Sequence, residues 1–159
     1  EGNTLIPILE KFEQKFNLQK PIVIVDSGLL LKQNIEELKI NNYEFILGAR
    51  IKNENHITKK EILSLNLNDE NNLASIKKDD LTLILSYTQK RAKKDKYNRE
   101  KGLKRLEKTI KSGKLTKDKI NSRGYNKYLD LKNEIEVVIN YEKFKQDGLW
   151  DGIDRKSVV

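Results

Sequence analysis

Asp26 directly follows a run of four β-branched residues in the stretch IVIVDSGLL, residues 22–30. A carboxylate at the end of a strand in an open α/β sheet points into the crevice where such sheets bind ligands. Gly28 allows a tight turn there, because it has no Cβ atom. Asp and Ser are also favoured as helix N-caps. The residues alone therefore leave catalysis and helix capping equally open for Asp26.

A second candidate is the basic segment SYTQKRAKKDKYNREKGLKRLEK, which runs from Ser86 to Lys108. Its cations recur every three or four residues, so several of them would share one helix face and could contact a phosphate backbone. Tyr87 and Tyr97 add groups suited to stacking or hydrogen bonding. The alternative is a solvated helix held by i,i+4 ion pairs. The predicted DNA-binding residues are Lys90, Arg91, Lys94, Asn98, Lys101 and Arg105.

Other catalytic signatures are weak in this sequence. His56 is the single histidine and lies in a polar stretch without clustered partners. The chain has no cysteine, so it has no thiol nucleophile and no thiolate zinc site. It contains no GxGxxG or Walker loop, and Ser27 is not part of a G-x-S-x-G motif. Nucleotide-loop and serine-triad chemistry are therefore unsupported.

Alternating helices and strands would position Asp26. An apolar stripe at Leu5, Leu9, Phe12 and Phe16 predicts a helix over about 4–18. The unbroken apolar run at 22–25 predicts a strand buried on both faces, as in the centre of an α/β sheet. Further elements are predicted as a helix at 29–39 and a strand at 43–47. This β-α-β order predicts part of a layered α/β sheet.

The sequence becomes more polar after residue 50, which predicts a separate insertion over about 51–145. The long helix in it should turn Leu103, Leu106 and Ile110 inward, with Arg99 extending that stripe upstream. The predicted elements are a helix at 59–65, a strand at 81–87, the long helix at 89–111, and strands at 125–129 and 135–141.

Charge and composition narrow the class of partner. The net charge is +8 and the pI is about 9.4, which favours an anionic partner, most simply nucleic acid. Lysine, asparagine and isoleucine are abundant, and AT-rich coding would also produce that bias. No stretch approaches the roughly 20 apolar residues of a membrane span, and no signal peptide is visible. We therefore expect a cytoplasmic protein. The lack of methionine predicts a fragment or a processed chain.

Three ordered stretches resemble DDE-class insertion-sequence transposases. IVIVDSGLLLKQNIEELKINNYEFILGARIKN, residues 22–53, resembles the region around the second aspartate of that family. YTQKRAKKDKYNREKGLKRLEK, residues 87–108, resembles the basic helix of the domain that these enzymes insert into their catalytic fold. DGLWDG, residues 147–152, resembles the segment where the chain returns to that fold. The resemblance covers nearly the whole chain.

The resemblance implies part of an RNase H-like catalytic core at 1–50, an insertion domain at 51–145 and a return segment at 146–153. It implies DNA strand cleavage and strand transfer with two divalent cations, Mg²⁺ or Mn²⁺, held by three carboxylates. Asp26 matches the second aspartate as catalytic residue and metal ligand. The other two carboxylates would lie outside the chain, so we expect these 159 residues alone to be inactive.

The resemblance also implies partners and a location. The partners would be transposon ends and target DNA, with a homodimer in the DNA complex as one arrangement. The location would be the nucleoid of a bacterial or archaeal cell. Two alternatives stay open: a non-catalytic nucleic-acid-binding α/β module, and an RNase H-like metal-dependent nuclease. The last six residues, DRKSVV at 154–159, match what a sequencing adapter would encode, so we expect a non-native tail there.

Overall fold

The structure, a computed structural model, describes residues 5–17, 19–25, 32–78, 80–113, 116–133 and 136–158. It has the mixed α/β composition that the sequence predicts. The helices are α1 (Leu5–Phe16), α2 (Lys32–Ile40), α3 (His56–Ser64), α4 (Gln89–Lys111) and α5 (Tyr141–Gly148). The strands are β1 (Val23–Val25), β2 (Phe45–Leu47), β3 (Leu73–Lys78), β4 (Leu81–Tyr87), β5 (Leu129–Lys132), β6 (Glu136–Ile139) and β7 (Ile153–Val158).

Two compact units divide the chain. The first comprises Glu1–Ser86 with Asp154–Val159, and the second comprises Tyr87–Ile153. These boundaries differ from the predicted insertion at 51–145, because β3 and nearly all of β4 belong to the first unit. The predicted return segment at 146–153 belongs to the second unit.

A five-stranded sheet organises the first unit, in the strand order β1-β2-β7-β4-β3. β1 and β2 are parallel, and α2 lies between them in the chain, as the predicted β-α-β order requires. β7 is antiparallel to β2, and β4 is antiparallel to β3. The buried cluster consists of Val23, Leu38, Tyr43, Phe45 and Leu47, with Leu5, Ile6 and Leu9 of α1 packed against it.

β1 is an edge strand among the described residues, so the prediction of a central strand buried on both faces is wrong. Val23 is 5% exposed and lies in the core, whereas Ile24 is 72% exposed. Successive side chains of a strand point to opposite faces, so burial of one does not require burial of the next. The predicted apolar stripe of α1 is also only partly buried. Leu5 and Leu9 pack against the core, whereas Phe12 and Phe16 are exposed.

β7 contains most of the predicted non-native tail. Its backbone pairs with β2 in the register Ile46↔Val158 and Leu47↔Ser157. In the strand order it lies between β2 and β4. The segment therefore has a strand conformation, and its non-native origin stays a prediction.

The second unit packs the long helix α4 against a small sheet and a short helix. β5 and β6 form an antiparallel pair with the register Leu129↔Ile139. A 3₁₀ turn at Gly124–Tyr128 precedes β5. The buried cluster is Leu106, Tyr128 and Leu129, and the partly buried residues around it include Ile110, Tyr125, Val137, Ile139 and Phe144.

Several predicted elements differ from the structure. α3 begins at His56, earlier than predicted, because the Asn55 side chain caps it by accepting the Thr58 N–H at 2.8 Å. The predicted strand at 125–129 is wrong, since the 3₁₀ turn occupies most of that range. The predicted strand at 135–141 is shortened to β6, because Asn140 caps α5 by accepting the Lys143 N–H. β3 and α5 are elements that the sequence pattern did not indicate.

Candidate nucleic-acid interface

α4 has the bounds that the sequence predicts, and local chemistry explains both ends. The Thr88 hydroxyl caps its start by accepting the Arg91 N–H at 3.4 Å. Most of its residues are good helix formers. Gly113 follows its end with a φ of +66°, a left-handed conformation that glycine adopts without steric cost. The strand at 81–87 that leads into it is also confirmed.

Opposite faces of α4 differ sharply in chemistry. The face that packs into the second unit contains Gly102 and Leu106, both buried, and the partly buried Arg99, as the predicted inward stripe requires. The opposite face is exposed and cationic, and we call it the basic face. Its members, on neighbouring positions of the helix, are Lys90, Lys93, Lys94, Tyr97, Asn98, Lys101, Lys104, Arg105, Lys108 and Lys111.

The net charge of the whole protein is concentrated in α4. The helix has eleven Lys and Arg residues and three Asp and Glu residues, which gives +8. The whole chain has 32 cations and 24 acids, so the residues outside α4 contain 21 of each and are neutral together. All of α4 is described by the structure. Its acids Asp95 and Glu107 are partly buried and lie off the basic face, whereas the exposed Glu100 borders it. A polyanion would therefore meet a strongly cationic surface with one acid at its edge.

Five of the six predicted DNA-binding residues lie on the basic face and are exposed. The sixth, Arg91, lies at its margin and is only partly exposed, with its Nε 3.6 Å from the carboxylate of Asp95. The prediction missed Lys93, Lys104, Lys108 and Lys111, which are exposed on the same face. Projection of the sequence onto a helix would have found them, because they fall within about 60° of Lys90 at 100° per residue.

The two tyrosines singled out in the sequence have different environments. Tyr97 is 63% exposed on the basic face, and Lys101 Nζ lies 5.8 Å from its ring centroid. Tyr87 is partly buried, and its ring packs where a Cβ on Gly152 would lie. Only Tyr97 is therefore available to an outside ligand.

An ion pair fixes the inner face of α4. The Arg99 guanidinium binds both carboxylate oxygens of Asp151, through Nη2 and, at 3.4 Å, through Nε. It also stacks over the Phe144 ring at 4.7 Å. Burial lowers the pKa of Arg99, but the hydrogen bond and charge of Asp151 outweigh it and raise the pKa overall. Arg99 is therefore a structural cation that is not available to DNA.

Asp147 binds two further groups of the second unit. Its Oδ2 accepts hydrogen bonds from the Tyr128 hydroxyl at 2.5 Å and from Lys127 Nζ at 2.8 Å. Burial, followed by the Asp147 hydrogen bond, raises the pKa of the Tyr128 hydroxyl far above its ordinary value of 10. Asp147 and Asp151 are thus both paired with cations.

Both glycines of DGLWDG lie where a side chain would collide with a neighbouring residue. A Cβ at Gly148 would lie 2.9 Å from the Arg99 guanidinium. Gly152 has a φ of +87°, and a Cβ there would lie 2.5 Å from the Tyr87 ring. Its N–H donates to Asp95 Oδ2 at 3.2 Å. Both glycines let the chain approach α4 closely, while the aspartates before them bind cations.

Asp26 lies outside the described residues. Val25, which precedes it, is the last residue of β1, and β1 is parallel to β2 with Val25 opposite Leu47. The described residues contain no group of three or more His, Asp or Glu side chains that could hold a metal ion.

Comparisons with known proteins add no relative. The chain matches no protein-family model, no curated protein and no solved structure. Across the described ranges, none of the helices combines the length and the apolar character needed to cross a membrane.

Proposed function

We propose that this chain is part of a DDE-class DNA transposase and that it binds DNA through the basic face of α4. The observation that carries the proposal is the concentration of the entire net charge in one helix. Cations aligned on one exposed face are suited to replace the counterions of a phosphate backbone. The order of the three transposase-like stretches supplies the more specific assignment.

Paired charge reversals test the DNA-binding part. The variant Lys94→Glu with Lys101→Glu changes two exposed cations of the basic face. Its control, Lys11→Glu with Lys60→Glu, changes two exposed lysines of the first unit and has the same net charge. We expect the first variant to bind duplex DNA at least about tenfold more weakly at low salt, and the control to bind within about twofold of the unmodified chain. Equal losses in both variants would show that only total charge matters and would contradict the proposal.

The catalytic part of the proposal rests on Asp26. When bound, two Mg²⁺ or Mn²⁺ ions would activate the attacking oxygen and stabilise the leaving oxygen of a phosphoryl displacement. Asp26 would contribute one carboxylate ligand to such a site in the complete transposase. The 159-residue chain itself should show no Mg²⁺-dependent strand transfer, and measured strand transfer by it would contradict this assignment.

A single substitution separates metal binding from helix capping at Asp26. Asn is as good an N-cap as Asp, but it lacks the negative charge that binds a divalent cation. In the complete protein, Asp26→Asn should abolish strand transfer while DNA affinity and the free energy of unfolding stay unchanged. Retained strand transfer would leave capping as the role of Asp26.

A non-catalytic nucleic-acid-binding module is the second candidate function. The basic face of α4 favours it as well, since exposed cations can bind a phosphate backbone without any catalytic carboxylate. Under this alternative, the DNA-binding variants would behave as described above, and Asp26→Asn would have no effect on any activity. The strand-transfer assay therefore decides between the two candidates.

A further inference from the structure

We infer that the basic face of α4 contacts the phosphate backbone of duplex DNA and does not read base sequence. This inference rests on the proposed DNA binding and specifies its mode. Contacts to phosphates position a protein on DNA, whereas contacts to base edges give sequence specificity. The side chains of the basic face favour the first kind.

The composition of the face is the first reason. Seven of its eight cations are lysines, and Arg105 is the one arginine. A lysine ammonium is a compact point charge on a flexible stem, whereas the planar guanidinium of Arg and the amides of Asn and Gln are shaped for two-point contacts to a base edge. Asn98 is the one amide on this face. The face therefore has many groups for phosphates and few for bases.

The extent of the face is the second reason. Lys90 and Lys108 are separated by 18 residues, or about 27 Å along the helix axis at 1.5 Å per residue. The recognition helix of a helix-turn-helix protein presents mainly its N-terminal residues to the bases. Cations distributed over five turns instead fit a helix that lies along a phosphate backbone.

The inner face of α4 supplies the third reason, since it holds the helix in one orientation. Arg99 is fixed by Asp151, and Asp95 accepts the Gly152 N–H, so two points of the helix are tied to the end of the second unit. Leu106 is buried farther along the helix. The helix that bears the basic face is thereby fixed within the second unit, while its exposed lysine side chains stay flexible.

The salt dependence of the DNA affinity measures how many phosphate contacts the basic face makes. Fluorescence anisotropy of the 159-residue chain would be recorded with duplexes of equal length and unrelated sequence, at several salt concentrations. We expect their dissociation constants to agree within about threefold. Each of Lys94→Gln, Lys101→Gln and Lys104→Gln should reduce the slope of log K against log salt by about 0.9, whereas the first-unit control Lys60→Gln should leave it unchanged.

Two further variants test for base reading. Arg105→Lys keeps the charge and removes the planar fork, and Asn98→Ala removes the amide. Both should leave the relative affinities for different sequences unchanged.

A tenfold change in those relative affinities, or a slope that does not fall in the lysine variants, would overturn the inference while DNA binding itself stands. Absence of any DNA binding at low salt would overturn the proposed function as well. Tighter binding to an RNA duplex than to DNA by more than tenfold would overturn the choice of DNA.

Discussion

Arg99 and Asp151 form a two-point ion pair between residues 52 positions apart, with side chains only 12% and 17% exposed. The pair joins the middle of α4 to the end of the second unit. Removal of one partner would leave the other charge buried and uncompensated, which costs about 3–5 kcal/mol for a fully buried pair. The residual exposure of both side chains makes the expected cost somewhat smaller than for a fully buried pair.

Arg99→Ala should therefore lower the free energy of unfolding of the second unit by about 2–4 kcal/mol. The measurement is urea unfolding followed by the fluorescence of Trp150, the single tryptophan, which belongs to this unit. Lys101→Ala removes an exposed cation of the same helix and is the control, with an expected change within about 0.5 kcal/mol. A loss in Arg99→Ala no larger than in the control would show that the ion pair contributes no net stability.

Gly102→Ala should destabilise the second unit although alanine is the better helix former. Helix propensity alone favours alanine by about 1 kcal/mol. A Cβ at Gly102 would lie 2.2 Å from the Tyr125 ring, so the ring must move, and we expect a net loss of about 1–3 kcal/mol. The urea midpoint measures the change.

Tyr125→Ala provides the matched background for that prediction. With the ring removed, Gly102→Ala should become neutral or stabilising, because the steric conflict is gone. A double-mutant cycle of the four proteins gives the coupling energy between the two positions. A stabilising effect of Gly102→Ala in the presence of Tyr125 would contradict the close packing.

Tyr43 should make the first unit sensitive to alkaline pH. Burial, followed by the hydrogen bond to Glu13, raises the pKa of its hydroxyl from 10.0 to about 12. A raised pKa in the folded state gives a contribution to stability that is complete below pH 10 and is lost as the pH rises toward 12. The difference in the free energy of unfolding between the unmodified protein and Tyr43→Phe should change across that window. If the free energies of unfolding of the two proteins change in parallel over that pH range, the prediction is wrong.

Asn140→Ala should lower the free energy of unfolding by about 1 kcal/mol, the usual effect of removing an N-cap. The Asn140 side chain accepts the Lys143 N–H at 2.9 Å and donates to Asp130 at 3.2 Å. Asn140→Ser keeps an N-cap acceptor and should recover much of the loss. Equal losses in the two variants, measured by urea unfolding, would assign the stability to the bond with Asp130.

Sequence periodicity predicted α4 and the strand before it, β4, well. β4 and α4 have the predicted bounds, because a short leucine-rich apolar run and a long helical stripe are both clear patterns. The inward position of Arg99 followed from the same stripe. Its partner Asp151 could not be predicted, since nothing in the local pattern links residues so far apart in the chain.

The exposure of β1 and the short elements were harder to predict. The apolar run at 22–25 indicates a strand but does not say how many neighbours the strand has, and Ile24 is exposed. α5 has only eight residues, and its start depends on a cap by Asn140. Such elements are set by a few polar contacts and by packing, which have no periodic signature.

The row of like charges on α4 also affects the helix itself. Lys90 and Lys94, and likewise Lys101 and Arg105, are four residues apart, a spacing at which like charges repel and weaken a helix. No acid lies in the first turn to complement the positive end of the helix dipole. Added salt screens this repulsion and strengthens the helix, but it also weakens attraction to DNA. Salt therefore acts on the basic face in two opposite ways, because it relieves repulsion among its cations and weakens their hold on a polyanion.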